Sequence, residues 1–252
     1  MNNIFSNNSY KKNGYIVYRF PIEIKKEIIK FFLKKFKRNN VNDLEDYLSK
    51  MDDKIFKQTF TKPNRILGDS NIEKMFIDFV NINFPKGSFI SQVSEYERVH
   101  GRNLNSSSLD IQIRCVRFKK SDVGPAHRDS QFWDLAAGTE KEPNIQGNYN
   151  VRTKIWVPIY GCSMTNSLQF LPGSHTKKIK TGYKNNAANM LGNVPFIDPD
   201  YLFKNEKKFF SPFQNLDDKC VSFHSDTIHR GVINDATPLR ISCELTVCSL
   251  IF

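Results

Sequence analysis

Apolar residues recur at helical spacing in the first part of the chain and at alternate positions in the rest. Between Ile22 and Phe36, the residues Ile24, Ile28, Phe32 and Phe36 fall at every fourth position beside Ile29 and Leu33, and Lys25, Lys26, Lys30, Lys34 and Lys35 fill the gaps. That period predicts a helix with one packed and one wet face. A second stripe, Ile72, Met75, Phe76, Phe79 and Val80, predicts a helix over about 72–82 that stops within Asn83 to Gly87. A weaker helical pattern runs from Asp43 to Phe56.

After Gly101 the period falls to two. Ile111, Ile113, Cys115 and Val116 alternate with Gln112, Arg114 and Arg117, and further strands are predicted over Thr153 to Ile159, Ser167 to Leu171, Cys220 to His224 and Arg240 to Ile251. Turn residues punctuate them at GNYN, PGSH and NDATP. Helices followed by many short strands predict an α+β protein, mainly β in its core. The expected layout is a single domain over 1–252, with a mostly helical layer in 1–100 and a strand-rich core in 101–252. Residues 176–218 are polar, rich in Asn and Lys, and read as a lid-like insertion.

A chain of 252 residues with 39% hydrophobic and 25% charged residues can bury a sizeable core, which excludes disorder as its main state. Its start lacks the apolar core of a secretory signal, and no run approaches the roughly 20 apolar residues of a membrane span. A cytoplasmic location and no membrane partner are the expectations. Five scattered cysteines, Cys115, Cys162, Cys220, Cys243 and Cys248, form no CxxC pair and predict reduced thiols. The net charge of +11 rests mostly on Lys and is not interleaved with aromatics, so it reads as a solvated surface rather than a nucleic-acid footprint.

The informative chemistry lies in GPAHRDSQFWD, where His127 and Asp129 are two residues apart. On an extended strand such residues share a face, so both reach one ion. Completed by a second imidazole, they form the two-His-one-carboxylate triad that holds Fe(II) with positions open for a co-substrate and O₂. His229 is the expected third ligand. Eleven residues later Arg240 opens the last strand, and if those two strands are antiparallel neighbours, a guanidinium stands beside the metal, suited to the distal carboxylate of 2-oxoglutarate. The rival pair His224 and Asp226 leaves only His229 downstream, too near to come from a separate strand. Single histidines at His100, His175 and His224 are read as structural, and Trp133 and Trp156 as core or pocket wall.

The chain resembles the phytanoyl-CoA dioxygenase family of Fe(II)/2-oxoglutarate oxygenases. The resemblance rests on His127-Arg128-Asp129 with Trp133 after it, on Trp156-Val157-Pro158-Ile159, on the stretch from Leu168 to Pro172-Gly173-Ser174-His175, and on His229 to Arg240 with Asn234 between. It implies a double-stranded β-helix, a cupin-like jelly roll, with N-terminal helices packed on one sheet. It implies that His127, Asp129 and His229 are the catalytic iron ligands and that Arg240, with Ser242, takes the 2-oxoglutarate C5 carboxylate. Gln112, Arg114 and Thr153 are further candidates for that co-substrate. The implied reaction couples decarboxylation of 2-oxoglutarate to hydroxylation, since Asp129 stands where related halogenases carry a small residue. The implied partner is a small-molecule substrate, such as a sugar, a sugar nucleotide or another natural-product intermediate. Lys177, Lys178, Lys180 and Lys184 read as a solvated loop, with attraction of an anionic substrate as the functional alternative. A non-catalytic jelly-roll binding protein is the alternative. One departure stands out: members often place a hydroxyl two residues after the distal His, where this chain has Gly231.

Overall fold

The computed structural model describes residues 3–60, 65–92, 109–132, 149–185 and 193–251, with side chains described outside 183–195. His100 and Trp133 lie outside the described residues.

The N-terminal elements are α1 (Asn8–Asn13), β1 (Tyr15–Arg19), α2 (Ile22–Phe36), α3 (Val41–Ser49), α4 (Asp53–Thr59) and α5 (Ser70–Asn83). The expected bounds of α2 hold, and the chain leaves it through Lys37 at φ +53°, whose N–H bonds Leu33 and Lys34 carbonyls. The segment expected as one helix over 43–56 is two. Asp52 accepts hydrogen bonds from Lys54 and Ile55 N–H and so starts a new helix. Nor is the first hundred residues' contribution only helical, because β1 joins the main sheet.

That sheet is wholly antiparallel. β10 (Leu239–Ser249) is its centre, with β4 (Val151–Tyr160) on one side and β3 (Ile111–Arg117) and β2 (Phe89–Ile90) sharing the other. β8 (Lys219–His224) lies beyond β4, and β1 forms the edge. A second, shorter ladder pairs β5 (Gln169–Phe170) with β9 (His229–Arg230), and single bridges extend it to His127 on one side and Phe210 on the other. Successive core segments thus cross between two facing ladders, and the fold is a jelly roll. Phe170 and Phe223 meet across the gap at 5.0 Å between ring centroids.

Alternation along β10 decides what each face does. Leu239, Ile241, Cys243, Leu245 and Val247 join Ile28, Leu44, Leu48 and Phe76 in a core under the helices. Arg240, Ser242, Glu244 and Thr246, of opposite parity, face the second ladder. The large core is therefore outside the sandwich, and the interior holds polar groups beside a smaller apolar cluster that includes Trp156, Phe170, Phe213 and Phe223. Four cysteines are buried and all five are free thiols.

A hairpin of β6 (Thr181–Asn185) and β7 (Asn193–Ile197) leads to α6 (Pro199–Asn205). Ile197 and Phe209 pack on Leu171 and Ile228, which have opposite parity to Phe170 and His229. This part of the expected lid-like insertion is docked on the outside of the second ladder. Among the described residues no helix is long and apolar enough to cross a membrane.

Candidate metal centre

The site begins with a backbone bridge. His127 N–H donates to the His229 carbonyl at 3.0 Å, and His229 N–H donates back to His127 at 3.1 Å. This exchange sets the two imidazoles side by side, 4.4 Å between ring centroids. Asp129, two residues on, brings its carboxylate to 3.6 Å from His127 Nε2 and 3.8 Å from His229 Nε2. One ligand atom from each of the three lies within 4.8 Å of the others.

Both rings are oriented by carbonyls. His127 Nδ1 lies 2.7 Å from the Pro125 carbonyl and His229 Nδ1 lies 3.0 Å from that of Thr227. A carbonyl only accepts, so each Nδ1 donates to it, which leaves each Nε2 facing the centre as the ligand atom. Burial pushes the His229 imidazole down to about 4, against the pull of Asp129, so it is neutral near pH 7. Burial opposes ionisation of Asp129, but His229, Lys154 and His127 together outweigh it and hold the carboxyl well below the usual carboxylate range. Asp129 Oδ2 is nonetheless buried with no hydrogen-bond partner. Such a set fits a divalent cation: two imidazole nitrogens, one carboxylate, and a buried oxygen left unsatisfied without an ion.

Arg240 is also buried. Its guanidinium donates to the Asn166 carbonyl and, at 3.3 Å, to Val232, three residues beyond His229. The expectation that the strands of His229 and Arg240 are neighbours in one sheet is overturned: β9 pairs with β5, while β10 pairs with β3 and β4. Arg240 reaches the end of β9 from the opposite sheet. Its Nε and the Ser242 hydroxyl are buried without partners.

The other expected co-substrate contacts fare differently. Arg114 and Gln112 share the inner face by register with Ser242 and Glu244. Arg114 is committed to Glu244, its Nε donating at 2.8 Å. Gln112 donates its Nε2 to Asp110 at 2.8 Å and presents only an acceptor, its buried Oε1. Thr153 is on the other face, where its hydroxyl lies 2.7 Å from Tyr10 Oη, so it does not reach the centre. His224 pairs with Thr153 in register and turns away likewise, close to His175 at 5.7 Å between rings. The rival His224 and Asp226 pair is thereby separated from the triad. Gly231 also has a local reason: a Cβ there would come within 2.9 Å of Val123 Cβ.

Lys154 and Glu244 were not singled out from the sequence. Their alternation along β4 and β10 marked one face, but which neighbour that face meets is a tertiary fact.

No family profile matches the chain, and neither does any curated protein. Solved structures do match. EctD from S. alaskensis with bound Fe aligns at a TM-score of 0.51 and 12% identity, over 98% of this chain and 76% of that one. The same protein with 2-oxoglutarate and 5-hydroxyectoine aligns at 0.51 and 13%, with the same coverage. The apo form of ThoJ, a non-heme monooxygenase, aligns at 0.51 and 11% over 96% of this chain and 76% of that one. At these identities the likeness is one of fold, and it is the α+β jelly roll traced above.

Proposed function

We propose that the protein is an Fe(II)- and 2-oxoglutarate-dependent oxygenase, of the phytanoyl-CoA dioxygenase type, that hydroxylates a small molecule. One observation carries the reading: His127, Asp129 and His229 offer ligand atoms within 4.8 Å of one another, with both Nδ1 atoms engaged and Asp129 Oδ2 unsatisfied. Three donors leave open positions on a six-coordinate ferrous ion. The likeness in fold to a structure solved with 2-oxoglutarate supports the choice of co-substrate. So do the buried, partnerless Arg240 Nε and Ser242 hydroxyl, which suit the distal carboxylate of that molecule.

A ferrous ion bound there would supply the coupled oxidation in which 2-oxoglutarate, O₂ and R–H become succinate, CO₂ and R–OH. The chain's own residues bind, orient and exclude. The carbonyls of Pro125 and Thr227 fix the ligand tautomers. Those of Asn166 and Val232 aim the Arg240 guanidinium. Arg128, between the two ligands, donates to the Ser174 and Lys177 carbonyls at 2.7 and 2.8 Å and anchors the ligand segment. Phe170 and Phe223 pack on His229 at 6.0 and 4.6 Å between ring centroids and keep water from its flank.

Anaerobic addition of Fe(II) and 2-oxoglutarate should produce the weak visible band of the chelate, and His127→Ala or Asp129→Ala should abolish it. Under air the wild type should form succinate slowly without substrate, and more quickly with the right one. Sugars, sugar nucleotides and other natural-product intermediates come first in that screen. No band from metal-replete wild type would sink the reading and favour a binding protein without turnover.

A further inference from the structure

The inner face of the main sheet carries more charge than the triad and Arg240 use. Lys154 pairs in register with Phe223 on one side and Thr246 on the other. Phe223 turns inward against His229, 4.6 Å between ring centroids, so Lys154 shares that inner face. Three carboxylates act on its ammonium, those of Asp129, Glu244 and Asp110, with Arg114 opposing them. Glu244 is held by Arg114, Asp110 accepts from Gln112, and Asp129 belongs to the metal centre. Lys154 itself makes no hydrogen bond and no ion pair among the described residues. A half-buried ammonium in that position lacks the direct acceptor that such a group needs.

We propose that Lys154 anchors a carboxylate of the primary substrate beside the metal, at the end of the cleft away from Arg240. Its register partner Thr246 lies six residues beyond Arg240 on β10, about 20 Å along the strand at 3.3 Å per residue. The two cations thus serve different ends of one interior: Arg240 the distal carboxylate of the co-substrate, Lys154 a carboxylate that arrives with the molecule to be oxidised. The inference rests on the oxygenase reading and narrows it to carboxylate-bearing substrates. Burial works against the Lys154 cation, but the surrounding carboxylates more than compensate and raise its pKa.

Acetate serves as the probe and acetamide, its uncharged counterpart, as the control. Both are titrated anaerobically into the Fe(II)- and 2-oxoglutarate-loaded protein while the chelate band is followed. Acetate should shift the band of the wild type and of Lys154→Arg, should bind at least tenfold more weakly to Lys154→Met, and acetamide should do nothing. Equal responses from wild type and Lys154→Met would overturn the proposal, as would equal responses to acetate and acetamide. Half-saturation by 2-oxoglutarate separates the two carboxylate sources. A rise of tenfold or more in Lys154→Met, matching that in Arg240→Met, would assign Lys154 to the co-substrate instead. Absence of the band in wild type removes the oxygenase reading and this inference together, whereas a normal band with an unchanged acetate response removes this inference alone.

Discussion

Glu244 sits between Arg114 on β3 and Lys154 on β4. Burial raises its pKa, but the two cations prevail and bring it from an ordinary 4.5 down to about 2. A carboxyl depressed in the folded state stabilises the fold above its unfolded pKa, and that contribution is lost as pH falls from about 4.5 toward 2. Glu244→Gln should therefore flatten the acid limb of a urea-midpoint-against-pH curve in that window; parallel limbs would contradict the assignment. At neutral pH the same change should cost about 1–3 kcal/mol, because Arg114 loses its anion while remaining partly in water. At this scale the sequence was legible where chemistry is local. His127 and Asp129 share a face because they are two residues apart, and no fold is needed to see it. Thr153 failed for the same reason in reverse, since a position one residue off points to the opposite side of the sheet, and Tyr10 holds it there.

Elements were readable in proportion to their length. α2 and α5 carry three or more turns of stripe, and their positions follow from it. β1 and β2, at five and two residues, offer too little period to stand out among helices. The sheet partner of β9 was misjudged because eleven residues of turn-rich chain fit a hairpin as well as a crossover between sheets. What the crossover requires is visible at Gly161, which ends β4 at φ +62° and whose Cβ position is occupied by the Leu239 carbonyl. Its own carbonyl accepts from Asn166 Nδ2 at 3.0 Å and from Thr237 at 2.9 Å, and Asn166 in turn receives Arg240. Gly161→Ala should cost about 1–3 kcal/mol in left-handed strain and displacement. It should also raise the 2-oxoglutarate concentration needed for half of the chelate band, whereas Gly87→Ala, where nothing lies within 4 Å, should alter stability alone.

At the scale of the molecule, a strand-rich core under a helical layer was expected from the order of elements and the jelly roll from the family resemblance alone, while the docking of the 193–209 segment outside the second ladder depends on contacts made by Ile197 and Phe209. Ligands that bind only the folded chain stabilise it by about 2.7 kcal/mol at a hundred times their dissociation constant, or roughly 5–10 °C for a protein of this size. Thermal melts should rise with Fe(II), rise again with 2-oxoglutarate, and fall back with a chelator. Arg240→Met should keep the first step and lose the second. If both steps persist in that variant, Arg240 does not hold the co-substrate.

The candidate metal ligands lie along the short ladder, and Arg240 lies on the long sheet opposite. A co-substrate gripped at both ends would therefore lace the two halves of the sandwich together from within. Hydrogen exchange at β5 and β9 should slow most once metal and 2-oxoglutarate are both aboard. On the proposed reading, release of succinate and CO₂ would cut that lacing, so each turnover would loosen the short ladder again.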